Sequence, residues 1–373
     1  MSITPQVHSR QATGKISETM LAAVYYGKDD LRLQTVPVPE IGPGELLVRI
    51  HTCGICGTDL KKVSTGSHSA PRIFGHEMAG MVVATGAGVR EFATGDRVMV
   101  YHHIPCGECF YCRHKVFAQC PAYKKVGSTA GFGDASGGGF SEYIRVMDWI
   151  VARGGVLRIP DGVSYEQASF MEPVNTVWKA IDTVAPKLGE LVLVIGQGPI
   201  GILLAYLAKR AGATVITSDL YAQRLTIGMR YGLNHSVDAS TSDVVREVRA
   251  LSEGRGADAV MLAAAGDALI RTAMDAARPG GRVLLFAQTA RSEARFDPAA
   301  VCVDEKALLG SYSSSVELDE EVARFVFSGE MDLAALYSHR FPLAESLKAL
   351  KLAAHPQPDT MKIAIQPGGV WEK

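Results

Sequence analysis

LVLVIGQGPIGILLAYLAKRAGATVITSD, residues 191–219, carries the clearest structural message in this 373-residue chain. The five apolar residues 191–195 read as a buried strand. The loop Gly196-Gln197-Gly198-Pro199-Ile200-Gly201 follows at once, and an apolar helical stretch runs from there to Gly212. A second buried strand, TVITSD, ends on Asp219. A lone G-x-G-x-x-G is a weak signal, but strand, glycine turn, helix, strand and terminal acid in that order make a strong one for a dinucleotide. The glycines let backbone approach a pyrophosphate, and the helix N-terminus favours its charge. Asp219 stands eighteen residues beyond Gly201, where its carboxylate can accept from an adenosine ribose 2′-OH. It would repel a 2′-phosphate, so NAD is favoured over NADP. Arg224 leaves a counter-argument open, because its guanidinium can attract that phosphate or stack on the adenine face.

The same tempo continues downstream. A helix from about Tyr221 to Tyr231, the strand HSVD, a helix near 242–253, DAVMLAA, a helix near 267–277 and GRVLLFA follow in turn. This alternation predicts an α/β chain with a Rossmann-type doubly wound parallel sheet over residues 175–311. Upstream, AAVYYG, LLVRIHT, AGMVVATG, DRVMVYH and SEYIRV read as strands, punctuated by PGE, GAG and TGD. They predict a compact β-barrel-like domain over 20–174. After ALLGSYS the alternation stops. Two helical segments near 317–328 and 343–354, then the strand MKIAIQP, predict that 312–373 returns to the first domain. Residues 1–19 are polar and read as a flexible extension rather than a secretory signal.

Composition narrows the function classes. Hydrophobic residues make up 47% and charged residues 21%, and the formal net charge is −1. That balance suits a globular protein with a sizeable core and gives no basic field for nucleic acid or a membrane surface. The longest apolar runs are far too short to span a bilayer. Of seven cysteines, six lie between positions 53 and 120. Such clustering suggests metal in a reducing cytoplasm rather than a disulfide scaffold.

Cys106, Cys109, Cys112 and Cys120 form C-x2-C-x2-C-x7-C. Four thiolates this close make a closed tetrahedral cage, the mark of a structural zinc. An iron–sulfur cluster is the rival, but the x7 gap and the lack of a second cysteine group do not match ferredoxin spacing. Cys56 in GICGTDL, His76 in GHE and Glu172 in EPVNTVWKA would leave a coordination position free, the mark of a catalytic zinc. Glu77 is a possible additional or exchangeable ligand. Each of these residues alone has a plainer reading: a core histidine, or a glutamate capping a helix. Cys53 reads as a buried packing thiol. Asp59 can accept the other imidazole N–H of His76, and the Thr58 hydroxyl can relay a proton. His102 and His103 read as structural or subunit-surface histidines.

Taken in order, GICGTDL, GHEMAG, GDRVMV, the four-cysteine lobe, EPVNTVWKA and GQGPIG resemble the zinc-containing medium-chain dehydrogenase/reductase (alcohol dehydrogenase) family, over about residues 20–368. The resemblance implies a GroES-like catalytic domain split around the Rossmann domain, in a homodimer or homotetramer. It implies Cys56 and His76 as ligands, Thr58 as relay and Asp59 as the partner of His76. Glu172 stands where many alcohol dehydrogenases carry a second cysteine, and a glutamate before proline there is similar to the polyol (sorbitol-type) and threonine dehydrogenase branch. In the sorbitol-type pattern Glu77 can be the ligand while the equivalent of Glu172 holds water or substrate. SDLYAQRL is similar to that branch's NAD-binding segment, which supports Asp219 and Arg224. Two departures stand out: Lys61 replaces a histidine found in many members, and the loop between Cys56 and His76 is shorter than in sorbitol-type members. The expected activity is hydride transfer between an alcohol (polyol, sugar or other secondary alcohol) and NAD, with two zinc ions per chain and a small-molecule substrate. A zinc-independent enone or quinone reductase of the same fold, or a non-catalytic nucleotide-sensing protein, is the alternative.

Overall fold

The computed structural model describes residues 16–287 and 293–368. Most of the stretch 1–19, read above as an extension, lies outside those residues, and Thr19 already opens a strand.

Six parallel strands form one sheet. Their order is His235–Asp238, Thr214–Asp219, Leu191–Ile195, Ala257–Leu262, Ala277–Leu285 and Ala307–Gly310. Numbered along the chain this is 3-2-1-4-5-6, the doubly wound order, whose switch point lies between Leu191–Ile195 and Ala257–Leu262. The strand Leu191–Ile195 shows why its sequence is apolar throughout. Val192 and Val194 join the core formed with helices Met171–Val184 and Pro199–Arg210. Leu193 and Ile195 face the other core, with helices Val244–Leu251 and Asp267–Ala276. A strand covered on both faces has no polar side to offer.

The second sheet is mixed. Tyr337–Pro342, Lys362–Gln366, Leu46–Gly54, Glu77–Thr85, Arg97–Val100 and Val156–Arg158 lie side by side, and Tyr143–Val146 also pairs with Leu46–Gly54. Thr19–Gly27 and Asp30–Pro37 make a separate antiparallel hairpin. In the terminal strand Ala364 pairs with Gly54 and Ile365 with Cys53. Several helices depart from the strand-only reading of this half, at Gly57–Thr65, Phe110–Arg113, Asp148–Ala152 and Tyr165–Ser169, and the first of them bears on the site. Its N-cap is Cys56, whose sulfur accepts from Thr58 N–H at 3.5 Å, while Asp59 Oδ2 accepts from Cys56 N–H at 3.3 Å. That is a capping box built on a sulfur. Gly66, in the left-handed region at φ 65°, ends the helix.

Asn175 ties the helix Met171–Val184 to Tyr101 and to the segment from Ser315 to Asp319. Its amide nitrogen donates to Asp319 Oδ1 (2.8 Å), Ser315 O (3.1 Å) and Tyr101 Oη (3.4 Å), and its oxygen accepts from Ser315 N–H (2.8 Å). Asn175 is fully buried, so its partners have no water to fall back on. Asn175→Ala is expected to lower the unfolding free energy by about 2–4 kcal/mol through the groups it leaves unpaired. A denaturant titration of the full chain checks this.

Candidate active site

Strand register brings the metal-type side chains together. Gly54 lies opposite Glu77 and Cys53 opposite Met78 in the antiparallel pair Leu46–Gly54 and Glu77–Thr85. Cys56, two residues past the end of one strand, therefore meets His76 and Glu77 at the start of the other. One donor atom from each of Cys56, His76 and Glu77 lies within 4.8 Å of the other two. Thiolate, imidazole and carboxylate so close together are a donor set that fits zinc.

Behind them, Asp59 Oδ1 lies 3.2 Å from His76 Nδ1, and both side chains are buried. Burial works against charge on either group, but their attraction outweighs it, holding the Asp59 carboxyl below its ordinary range and His76 well above. An ionised carboxylate only accepts, so Nδ1 carries the shared proton and Nε2 is left for a metal.

Glu77 has a second neighbour that the sequence did not suggest. Lys362, at the head of the terminal strand, forms a buried ion pair with Glu77 Oε2. Burial opposes the lysine's charge, yet Glu77 and Cys56 hold its pKa above the usual value. The only hint in the sequence is one charged side chain heading an otherwise apolar strand, KIAIQ.

Glu172 sits in the first turn of Met171–Val184 and is not a member of the three-residue cluster. The mixed group whose donor atoms lie together among the described residues is Cys56, His76 and Glu77, where Glu77 is covalently next to His76 in a paired strand, whereas Glu172 arrives on a helix. Burial, with Glu77 nearby and against the pull of His76 and Lys362, raises the Glu172 carboxyl to about 7. Thr58 lies beside Cys56 in the first helical turn, and Lys61 follows on the same helix.

The two neighbouring histidines, His102 buried and His103 half-buried, stack in a column that begins at His76. The rings of His76 and His102 are 4.7 Å apart, His102 and His103 3.8 Å, and His103 and Tyr123 4.9 Å. Burial keeps both histidines neutral, pushing His103 down to about 3 and His102 well below its usual value. Tyr123 Oη closes the column on Ser313 Oγ (2.6 Å) and Ser314 Oγ (2.9 Å). Cys53 is fully buried in the core of this half.

The column ends at the cysteine lobe. Sulfur–sulfur distances there are 3.6 Å for Cys109–Cys112, 3.6 Å for Cys120–Cys106 and 3.9 Å for Cys106–Cys112. Tetrahedral Zn–S bonds of about 2.3 Å require S···S separations of roughly 3.8 Å. The four sulfurs therefore already outline a zinc cage. Against burial, which raises it, the N–H groups of Cys106 and Tyr123 hold the Cys120 thiol at about 6.

The glycine loop sits at the carboxyl end of Leu191–Ile195, beside the switch point. Gly196 is left-handed at φ 97°, and a side chain on Gly201 would strike the Gly196 carbonyl. A Cβ on Gly198 would meet only open space. Gly198 caps the helix, with Pro199 at its first position and Ile200 next. Asp219 accepts from Gln197 N–H at 2.7 Å and Tyr221 N–H at 2.9 Å, which aims its carboxylate along the loop. Arg224 donates to Thr360 O at 3.2 Å, lies 3.9 Å from Asp219 Oδ2 and 5.1 Å from the Tyr221 ring centre. Glycine cradle and acid together fit a dinucleotide.

Two family models match the chain: the alcohol dehydrogenase GroES-like domain over residues 42–160 and the zinc-binding dehydrogenase domain over 199–328. Among curated relatives, L-threonine 3-dehydrogenase of Pyrococcus abyssi is 31% identical, covering 87% of this chain and 92% of its own. Sorbitol dehydrogenase of Bacillus subtilis is 27% identical over 95% and 99%. A Sinorhizobium meliloti protein solved with NADP bound, assigned as a zinc-binding dehydrogenase, superposes with a TM-score of 0.83 at 28% identity, over 94% of this chain and 100% of that one.

Asp59→Ala removes both the acceptor for His76 and half of the capping box. Metal affinity at the Cys56–His76–Glu77 cluster is expected to fall by about 10–100-fold. Competition with a chromophoric chelator reads this directly, and the cysteine lobe serves as the internal control.

Proposed function

The chain belongs to the zinc-binding dehydrogenase family, and on that premise we propose that it oxidises a secondary alcohol to a ketone with NAD, at a zinc held by Cys56, His76 and Glu77. Alcohol oxidoreduction follows from the family; the finer assignments are our reading. The observation that carries it is the gathering of those three donor groups in one half, with the glycine cradle at the switch point of the other.

Zinc, when bound, supplies Lewis acidity toward the alcohol oxygen, and the nicotinamide ring supplies the hydride acceptor. The chain's own residues do the rest. Cys56 and Glu77 contribute two negative charges and His76 none, which balances a dication. Asp59 keeps the His76 proton on Nδ1. The Thr58 hydroxyl takes the proton leaving the alcohol and passes it outward, with Lys61 next along the helix. Glu172, entering from the helix Met171–Val184, holds water or a substrate hydroxyl beside the cluster. Gly196, Gly198 and Gly201, with Pro199 and Ile200, give backbone access to the pyrophosphate. Asp219 favours a ribose 2′-OH, which supports NAD over NADP, and Arg224 stands beside it, 3.9 Å from Asp219 Oδ2 and in contact with Thr360 and Tyr221. The second zinc belongs to Cys106, Cys109, Cys112 and Cys120, where four sulfurs leave no position for chemistry.

The relatives act, by their names, on threonine and sorbitol, so a polyol, sugar or amino alcohol suits the substrate class. The edge strand Ala307–Gly310 is open on one side in the described residues, which suits pairing in a homodimer or homotetramer. Free thiols suit the cytoplasm. No helix among the described residues is long and apolar enough to cross a membrane. A zinc-independent enone or quinone reductase has no use for the clustered Cys56, His76 and Glu77.

Metal analysis is expected to find two zinc ions per chain. His76→Ala should lose one of them and all turnover while remaining folded, whereas Cys109→Ser should lose the other together with thermal stability. One zinc in the wild type, unchanged in His76→Ala, would sink the assignment.

Asp219→Gly is expected to shift the kcat/KM ratio toward NADP. A wild type already faster with NADP would refute the role given to this acid. Glu172→Ala should lose turnover by at least about 10-fold, the lower range for removing a group that supports a metal centre.

A further inference from the structure

We infer that Lys362 is a positioning residue that competes with the metal for the Glu77 carboxylate and so keeps the metal's remaining coordination open. The inference rests on the zinc reading above and deepens it.

Three observations carry it. The Lys362 ammonium is ion-paired to Glu77 Oε2, and both side chains are almost wholly buried, at 7% and 2% exposure. The Glu77 carboxylate also belongs to the cluster whose donor atoms lie within 4.8 Å of one another. One buried anion thus stands between a fixed ammonium and the place of a dication. The pair has also been given room. A Cβ on Gly54 would strike Glu77 Oε2, and would come within 2.9 Å of Lys362 Cε and 3.0 Å of Tyr337 Oη. Tyr337 is itself fixed, its hydroxyl 2.7 Å from Ser169 Oγ. Glycine at position 54 therefore leaves a walled volume that the ion pair fills.

A buried ammonium is costly without its anion, so Lys362 resists complete transfer of Glu77 to the metal. A carboxylate that gives part of its electron density to an ammonium is a weaker ligand. The metal then sees mainly Cys56 and His76, keeps more of its Lewis acidity, and holds a position that substrate can take. The cost is a looser grip on the ion. Lys362 stands outside the ligand set, and removing such a supporting partner ordinarily weakens metal binding, by about 10–100-fold. Here the sign is opposite. Without Lys362 the Glu77 carboxylate is freed to ligate fully, so the metal should be held more tightly and turnover should fall.

The test uses the full-length, zinc-loaded protein and follows zinc release to a chromophoric chelator alongside kcat. The relevant zinc is the one that His76→Ala removes. Lys362→Met is expected to slow its release about tenfold or more and to lower kcat, with Lys362→Arg restoring both. In a Glu77→Gln background, Lys362→Met should change the release rate no further. This neutral pair also contains no unpaired buried charge, so it serves if the single variant does not fold. Release from Lys362→Met as fast as wild type or faster would overturn the inference, as would an effect of Lys362 that persists without the Glu77 carboxylate. If no zinc depends on His76, the metal reading itself fails and takes this inference with it.

Discussion

The pairing of Leu46–Gly54 with Glu77–Thr85 is the constraint on which the site depends. Because Gly54 faces Glu77, the chain leaving one strand and the chain entering the other bring Cys56, His76 and Glu77 to a single point. A slip of one residue would turn every side chain to the opposite face and scatter the three donors. The register is secured from several directions. Both strands are buried in the core of this half, and the edge of Leu46–Gly54 away from Glu77–Thr85 is held by Tyr143–Val146 near its start and by the terminal strand near its end. The sheet is thus a frame for the metal-type cluster as much as a packing layer.

Around that point, charge is arranged in alternation. Asp59 stands behind His76, and Lys362 stands behind Glu77. Each donor that comes from the strand Glu77–Thr85 or its leading residue is backed by a group of opposite tendency, one fixing a proton and the other drawing on a carboxylate. The neutral rings of His102 and His103 fill the space between this cluster and the cysteine lobe without adding charge. Electrostatic strength is therefore concentrated where donors converge, in surroundings dry enough for it to count.

The features that could be read from the sequence are those encoded locally. Residues 191–219 announced the parallel sheet because strand, loop and acid are contiguous, and the cysteine lobe was visible because its four sulfurs span fifteen positions. The helix Gly57–Thr65 escaped because a cysteine, not one of the usual N-cap residues, starts it. The strand Asp30–Pro37 escaped because it lies in a hairpin with much of its length half-exposed and carries few apolar residues. Glu172 was given the third ligand place, with Glu77 as an option, because spacing alone does not convey strand register. Lys362 was invisible as a site residue, since only the return of the terminal strand beside Gly54 makes it one.

That return has a consequence for the order in which the protein is made. The four cysteines of the lobe are all present once residue 120 has emerged from the ribosome, while most of the chain is still unsynthesised. The Glu77 carboxylate meets the Lys362 ammonium only when residue 362 arrives, and Cys53 and Gly54 gain their second strand partner at the same moment. Nascent chains therefore mature in two stages, a local one that is early and a long-range one that waits for the last strand. The last strand is a slow contact in this topology, since it pairs with residues about three hundred positions earlier in the chain. A chain interrupted before it would carry a finished lobe and an unfinished centre.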